Sequence, residues 1–412
     1  MGLPYAECVC RSAWGRREWA MLAWLVVALA SGIVMVRGEA DAAEWSAAPT
    51  LGVKGIYNSN LLLSQGNNEV FGHWITPAVK FKGATDALDV ESETRADFVH
   101  YYGDQDRTYT NLYFPLRSSY RLDRYTFGFD GGYTRDNTLQ GELQQTGLVL
   151  QFTQRNMWTA VPSLKVGITE RLSWQSRYQF IDTSYQDGQR LGLIDYQVHG
   201  GTTGFTYNVS LRDQVQMTGE YTFVRIPAAG LTTTYYGVQG GWTHDFGHRV
   251  IGTASGGGRL VNSDLTIPVG GTLASQETVW VYSASLSKQF ERTTVRVDGG
   301  REINPSGFGR LLRTDRVGGT LVHNLTETLS ASLSGGLYFV SGIGSTPLNR
   351  SIVQTRFFSV NPSVSWKFAQ WWTLDVSYTY AQRAVDQLDQ RNDSHSTFVM
   401  LTYGGPKWSV SR

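Results

Sequence analysis

From Leu329 to Phe339 the chain alternates without a break: Leu329, Ala331, Leu333, Gly335, Leu337 and Phe339 interleave with Ser330, Ser332, Ser334, Gly336 and Tyr338. A period of two puts one set on each face of a β-strand, because successive side chains point to opposite sides of the pleat. The same beat returns through most of the chain after about residue 48. Leu374, Val376, Tyr378 and Tyr380 interleave with Asp375, Ser377 and Thr379, and Tyr125, Phe127, Phe129, Gly131 and Tyr133 with Thr126, Gly128, Asp130 and Gly132. Each run has about the 9 to 11 residues that a tilted strand needs to cross a bilayer. Strands of this length, repeated so often, are the signature of a transmembrane β-barrel.

Composition agrees. Aromatics reach 13%, glycines number 45 and the net charge is +1, which speaks against a strongly basic nucleic-acid surface. The mean hydropathy of −0.25 suits a soluble protein and a barrel with a wet interior equally, since the barrel averages one apolar and one polar face.

The first residues read as an export signal. Arg11, Arg16 and Arg17 precede an apolar run from Ala20 to Val36, and Ala40-Asp41-Ala42 supplies small residues at −3 and −1. Residues 1–43 are therefore expected to form a signal peptide cut at about residue 42 or 43, leaving 44–412 as a single barrel domain. The alternative is a lone membrane anchor, because 17 apolar residues lie at the short end for a spanning helix. Cys8 and Cys10 precede the apolar run, so the cleaved chain carries neither a disulfide nor a cysteine nucleophile.

Turn cues count the strands. Leu122-Asp123-Arg124, Ile168 to Arg171, Leu211-Arg212-Asp213, Phe246-Gly247-His248, Phe290-Glu291-Arg292, Leu325-Thr326-Glu327 and Phe368-Ala369-Gln370 recur every 35 to 46 residues, room for two strands and one longer connection. A further turn is expected near Gly83 to Ala87. The intervening junctions, at about 60–69, 102–108, 136–152, 184–191, 227–231, 261–275, 304–310, 342–352 and 386–393, are richer in Gly, Asn, Asp, Ser and Pro. Eight turns and nine loops give about 18 strands, with 16 also compatible with the cues. The expectation is an all-β, antiparallel up-and-down barrel with short periplasmic turns and longer extracellular loops. Pro77, Pro115, Pro162 and Pro362 fall inside strands, where bulges are expected to accommodate them. The final strand, about Ser394 to Tyr403, ends in Gly-Gly-Pro-Lys-Trp408 with Ser409 to Arg412 trailing.

The apolar parity faces lipid, with Trp158, Trp174, Trp242, Trp280, Trp366, Trp371 and Trp372 as candidates for interfacial girdles. The opposite parity collects charge. Glu91, Glu93, Arg95, Asp97, Arg117, Asp130, Arg177, Glu220, Arg296, Asp298, Arg316 and Asp375 are the candidate lumen-lining residues, joined by Asp89, Arg121 and Lys165. Mixed signs argue against a strongly ion-selective pore. Gln175, Gln179, Gln214, Gln216, Gln239, Thr218 and Tyr235 add neutral hydrogen-bonding groups suited to a hydrated, sugar-like path, although any water-filled wall needs such groups.

Catalysis is not expected. The seven histidines, among them His244 and His248 at a strand junction, show no metal spacing, and there is no phosphate-binding glycine loop or pair of catalytic acids, so no metal or cofactor is assigned. The expected role is a porin-like polar path for hydrophilic solutes. The competing expectations are a closed or plugged barrel acting as an assembly scaffold, with the 261–275 loop as a possible plug, and a soluble sandwich or barrel lipase.

The strand grammar also resembles a family: the outer-membrane β-barrel proteins associated with exosortase (PEP-CTERM) and exopolysaccharide loci of Gram-negative bacteria. The resemblance rests on Tyr57-Asn58-Ser59-Asn60-Leu61-Leu62-Leu63-Ser64, on Ile75-Thr76-Pro77, on Gly131-Gly132-Tyr133-Thr134-Arg135-Asp136-Asn137-Thr138, on the Leu-Thr-Glu-like turns and on the Pro-Lys-Trp ending. It covers the mature chain, while Phe246-Gly247-His248 and Phe368-Ala369-Gln370 depart from its turn pattern. It implies an outer-membrane, porin-like component acting in polysaccharide export or envelope assembly. The implied partners are outer-membrane lipid, the β-barrel assembly machinery during biogenesis, and polysaccharide or envelope export components.

Overall fold

The computed structural model describes residues 43–66, 68–103, 106–138, 152–267, 270–343, 354–385 and 390–411. The signal segment and Cys8 and Cys10 lie outside the described residues.

The strands, in chain order, are β1 (Glu44–Asn58), β2 (Val70–Ala84), β3 (Leu88–Gly103), β4 (Arg107–Leu122), β5 (Tyr125–Asn137) and β6 (Gln154–Gly167). They continue as β7 (Leu172–Tyr185), β8 (Tyr196–Asn208), β9 (Asp213–Ile226), β10 (Leu231–Gly247), β11 (Val250–Ile267) and β12 (Gly271–Gln289). The last are β13 (Thr293–Ser306), β14 (Arg310–Asn324), β15 (Leu329–Gly342), β16 (Thr355–Ala369), β17 (Trp372–Val385), β18 (Gln390–Gly404) and a short β19 (Trp408–Ser411). Every strand pairs antiparallel with its sequence neighbours, and β18 pairs with β1 from Thr50↔Gly404 to Asn58↔Ser396, so the sheet closes as an 18-stranded up-and-down barrel. Closure removes the sheet edges and lets every strand hand its backbone hydrogen bonds to a neighbour, the condition for crossing hydrocarbon.

β19 continues β18. Ala47 faces Trp408 and Thr50 faces Gly404, so Ala48 and Pro49 oppose Gly405, Pro406 and Lys407, a bulge of one residue. Pro49 has no N–H to offer there, and its carbonyl accepts from the Gly405 N–H at 2.8 Å. Ser409 to Ser411, expected to trail free, therefore belong to the closing strand.

The internal prolines do not create bulges. Ile75↔Phe98 and Ala78↔Arg95 keep one register across Pro77; Ala160↔Phe180 and Ser163↔Arg177 do so across Pro162, and Val360↔Tyr380 and Ser363↔Ser377 across Pro362. Glu91↔Arg117 and Arg95↔Tyr113 likewise hold register across Pro115. Each proline keeps its ladder on one side and drops a few rungs on the other. Side chains fill the gaps: Asn361 Nδ2 donates to Ser377 Oγ at 2.8 Å, and Ser92 Oγ donates to the Pro115 carbonyl at 2.6 Å.

Register rows decide which parity faces inward. Tyr185, Val198, Val224, Tyr235, Val261 and Val279 share one register parity and one buried cluster, which Leu311 and Ile343 join from the bent β13–β14 tip and the end of β15, five or more strands from Val224. Such residues can meet only inside. The opposite parity carries the large exposed apolar groups: Leu51, Val53, Phe127, Trp158, Met217, Val238, Trp242, Trp280, Leu286, Val317, Leu333, Trp366 and Val399. A continuous apolar outer surface of this extent is one for lipid, because a water-soluble barrel would expose polar groups there. Aromatics bound it at both ends, with Tyr125 and Trp174 near the turn rim of β5 and β7 and Tyr133 and Trp158 eight to ten residues higher. At about 3.3 Å per residue and a tilt near 40°, eight residues give an apolar band roughly 20 Å tall.

One rim carries tight turns, at 85–87, 123–124, 168–171, 209–212, 248–249, 290–292, 325–328 and 370–371. The other carries the longer connections at 59–69, 138–153, 186–195 and 343–354, but 104–106, 268–270 and 307–309 are as short as the turns. The expected 261–275 loop is absent: β11 and β12 pair from Val250↔Lys288 to Ile267↔Gly271 as a tall hairpin, flanked by β10 up to Leu231↔Leu265 but by β13 only up to Tyr282↔Arg301.

Candidate functional site

The inward face changes character along the barrel axis. On the turn-rim side it is wet and polar. Thr253 and Ser255 of β11 hydrogen-bond to Ser285 and Ser283 of β12 at 2.8 and 2.6 Å, and Gln239 donates to Ser255 at 2.6 Å. Gln214, Gln216, Gln175, Gln179 and Arg177 on β9 and β7 are exposed on that face.

All twelve candidate lumen residues fall on the inward parity, and most are tied across neighbouring strands. Glu91 meets Lys80 at 3.0 Å, Arg117 meets Asp130 at 2.7 Å, and Arg95 lies 3.4 Å from Asp97 and stacks 4.2 Å over Tyr113. Arg121 pairs with Asp89. Asp298 accepts from Arg316 at 2.7 Å and sits 3.7 Å from Arg296. Glu220 takes Arg259, a residue the sequence reading did not single out, at 2.5 Å. For Arg177, Glu93 and Asp375 no ion pair occurs among the described residues. Such pairs neutralise the wall locally and leave few net charges to project into the water.

Toward the loop rim the same face becomes apolar. On β9 the inward series runs Gln214, Gln216, Thr218, Glu220 and Thr222, then Val224 and Ile226, the last two fully buried. They are covered by the β13–β14 tip. β12 and β13 pair only up to Tyr282↔Arg301, whereas β13 and β14 stay paired to Ser306↔Arg310. Freed from β12, the hairpin bends into the mouth. Its Gly307 carbonyl accepts the Ile194 N–H at 2.6 Å from the β7–β8 connection, where a single helical turn, α1 (Gly188–Leu191), places Leu193 in the same cluster. Gly309 completes the tip at φ 70°, with Ile194, Ala229 and Ile226 as the nearest neighbours of any added Cβ. Phe308, Leu311 and Ile343 pack there, leaving a cavity of about 240 Å³ against Leu231 of β10 and Leu265 and Leu273 of the tall hairpin.

A second loop enters the mouth from the far side. Asn58 to Ser64 forms a compact turn: Asn60 Nδ2 donates to the Ser64 carbonyl at 3.0 Å, Asn60 Oδ1 accepts the Ser64 N–H at 3.2 Å, and Asn58 Oδ1 accepts the Asn60 N–H at 2.8 Å. Ser59 ties the turn to β18 through its Oγ, which accepts the His395 N–H at 2.9 Å. Thus fixed, the turn aims Leu61 at Val70, Val99, Tyr101 and Tyr109, and Leu63 at Phe357 and Ala381. On the third side Asp136 accepts two bonds from the buried Arg155 at 3.0 and 2.8 Å, and Thr138 bonds Thr153 through both backbone and side chain.

These mouth residues were missed as a site in the sequence. Their signal was there: Leu61-Leu62-Leu63, Leu191 with Leu193-Ile194, and Phe308 with Leu311-Leu312 are apolar groups inside rim connections, where water-facing loops carry polar ones. The residues placed as a possible plug, 261–275, instead form the wall against which the plug packs.

His244 belongs to a hydrogen-bonded group at the turn rim. Its Nδ1 lies 2.7 Å from Asp213 Oδ1, and Trp242 Nε1 donates to the same oxygen at 3.2 Å at the turn rim. Among the described residues no three of His, Cys, Asp and Glu gather as metal ligands.

No protein-family model matches the chain, and no curated protein does. Solved barrels are similar to it. The Pseudomonas aeruginosa OccK5 (OpdH) crystal structure aligns with a TM-score of 0.43 at 10% identity, over 87% of this chain and 98% of that one. Acinetobacter baumannii OccAB1 aligns with a TM-score of 0.44 at 7% identity, over 89% and 96% of the two chains. Pseudomonas aeruginosa OccK2 (OpdF), crystallised in complex with glucuronate, gives 0.44 at 9% identity over 87% and 97%.

Proposed function

We propose that the chain is an outer-membrane, porin-like barrel of a Gram-negative envelope that passes small hydrophilic solutes along its inward face, with entry controlled at the loop rim. The observation that carries this reading is the change along the inward parity from Gln214, Gln216 and Thr218 to Val224 and Ile226. A wide polar lumen suits solute passage, and an apolar constriction suits gating by dewetting. An export signal over residues 1–43 and assembly by the β-barrel machinery fit the reading, and it assigns transport without catalysis. Exopolysaccharide, with envelope export components as partners, is the substrate class that the exosortase-type motifs favour. Planar-bilayer recording with oligosaccharide block tests it: discrete conductance steps shortened by added sugar are expected, and a silent bilayer overturns it.

A second reading is a plugged barrel that serves as a scaffold. It is favoured by the inward packing of Leu61, Leu63, Phe308 and Leu311, which fills the mouth. Liposome swelling separates the two, because a permanently filled mouth admits no sugar.

A further inference from the structure

The ring of strands is closed through the apolar band but not above it. β12 follows β13 only to Tyr282↔Arg301, so Gly271 to Val281 have a ladder partner on the β11 side alone among the described residues. Alternate residues of a strand send N–H and C=O to opposite neighbours. The Gln289 N–H donates to the Arg249 carbonyl on the β11 side at 3.1 Å and the Phe290 N–H to the Thr293 carbonyl of β13 at 2.7 Å, which assigns odd residues of β12 to β11 and even ones to the other side. The register is unbroken to Ile267↔Gly271. Thr272, Ala274, Gln276, Thr278 and Trp280 therefore turn five donors and five acceptors to a side where no described strand meets them, and all five residues are exposed. Trp280 stands nine residues above Gln289, as Trp158 stands nine above Gly167, so this edge starts at the loop-side girdle and rises into water.

An uncovered edge of this length is ordinarily blunted by proline, lysine or a bulge. β12 has none of these from Gly271 to Val281. Across the slot β13 is blunted: Tyr282 pairs with Arg301, so odd residues of β13 face β12, and one of them is Pro305, which has no N–H to give. Behind the unblunted side lies the cavity of about 240 Å³, lined by Leu273 and Ser275 of β12 together with Phe308, Leu311 and Ile343.

We infer that the β12 edge seats an extended polypeptide segment of a partner, added as one more strand to the wall. A peptide backbone is the ligand that presents donors and acceptors at the two-residue repeat of the edge, about 6.8 Å. It continues the β12–β13 ladder from the point where β13 turns inward. Residues of the added strand opposite Leu273 and Ser275 point inward with them, toward the cavity, and residues opposite Thr272, Ala274, Gln276 and Thr278 point outward. The segment that fits is accordingly apolar at every second position and polar between. A second copy of the chain does not fit. The membrane orientation, which rests on the outer-membrane reading above, makes β12 run the same way in both copies, and strands tilted by about 40° then cross at roughly 80°, so the two edges share no ladder.

Hydrogen exchange read by mass spectrometry on the full barrel in detergent tests the assignment. The probe is a peptide of alternating threonine and leucine, long enough to span Thr272 to Trp280, with two N-methylated forms. Methyls on the threonines remove the donors aimed at β12, and methyls on the leucines remove only those aimed away. In the barrel alone the even amides of 271–281 are expected to exchange fast, and peptide at about ten times its Kd should slow them roughly tenfold. The leucine-methylated form should do the same and the threonine-methylated form nothing. Gln276→Pro removes one N–H on the uncovered side, leaves the β11 ladder its donors, and should weaken the peptide roughly tenfold. Heat-modifiable migration on gels shows whether that variant folds, and the two methylated peptides decide the matter if it does not. Amides already slow in the barrel alone would mean that the chain covers its own edge, protection that grows with barrel concentration would mean a second copy, and equal effects of both methylated forms would mean binding by side chains; each overturns the proposal. Conductance and membrane fractionation report separately on the pore and its location, so a failure of that reading is distinguishable from a failure of the seat.

Discussion

Arg259 of β11 reaches over β10 to Glu220 of β9, with 2.5 Å between nitrogen and oxygen, because the residue between them in the row is Gly237. Any side chain at 237 would stand in the path of the arginine. A Cβ there would lie 1.9 Å from the Gly258 carbonyl oxygen and 3.0 Å from Arg259 itself. One glycine thus lets an inward pair form between strands that do not touch, in the zone where the lumen turns from polar to apolar.

Gly237→Ala is expected to destabilise the barrel by about 1–3 kcal/mol, since backbone must move to relieve the contact. Glu220→Gln should lie at the lower end of that range, because it keeps one acceptor for a largely buried guanidinium. Urea midpoints followed by tryptophan fluorescence check both. If Gly237→Ala unfolds at the wild-type midpoint, the crowding is not rigid.

The buried Arg155 and Asp136 close the β5–β6 corner of the mouth. Asp136→Asn leaves a buried guanidinium with no counter-charge and one acceptor in place of two and should cost about 3 kcal/mol, whereas Arg155→Met paired with Asp136→Leu should restore most of it. The loss in the single variant and its recovery in the double one are read from the same unfolding curves. An additive double variant would show that the two side chains act independently.

The barrel was legible in the sequence because lipid outside and water inside impose a period of two on every strand, as at Leu329 to Phe339, and the tight turns follow at fixed intervals. The mouth was not. Asn262, Ser263, Asp264 and Thr266 read as loop by composition, yet Ser263 and Leu265 point inward opposite Ser275 and Leu273, so the segment is wall. Conversely 304–310 read as an ordinary loop, and nothing local to Phe308 tells that it joins the cluster of Ile194 and Ala229, from the β7–β8 and β9–β10 connections across the mouth. Wall pairing is a neighbour relation and shows in periodicity; packing across the lumen depends on closure of the whole ring. The twelve charges share one parity of the register, but Arg259, the partner of Glu220, became visible only when the register row was known.

The tip of β13–β14 is expected to control passage. Phe308→Ser with Leu311→Ser removes the apolar groups that hold it on Val224 and Ile226, and a trisaccharide should then enter liposomes several-fold faster than through the wild type. Unchanged swelling would place the narrowest point elsewhere.

The same contact can be locked. The Ile194 N–H and the Gly307 carbonyl are bonded at 2.6 Å, and backbones so paired hold their Cα atoms about 5.5 Å apart, within the span of a disulfide. In a chain lacking Cys8 and Cys10, Ile194→Cys with Gly307→Cys should lose conductance on oxidation and regain it with reductant. A channel indifferent to the redox state would mean that the tip does not move during passage.

Arg177 offers the clearest reading of the polar half. It is exposed on the inward face of β7 between Gln175 and Gln179, and no ion pair holds it among the described residues. Arg296 is likewise exposed, 3.7 Å from an Asp298 that Arg316 already engages. Their charge is therefore offered to the lumen water and attracts anions there, while the tied pairs such as Arg117 with Asp130 largely cancel. Arg177→Glu with Arg296→Glu changes the lumen by four units of charge at two points and should shift the reversal potential in a salt gradient toward cation preference. The shift should shrink as ionic strength rises and the screening length falls below the lumen radius. Arg117→Gln with Asp130→Asn removes a matched pair and should leave the reversal potential where it was. If the paired and unpaired substitutions move it equally, ions do not pass along this face.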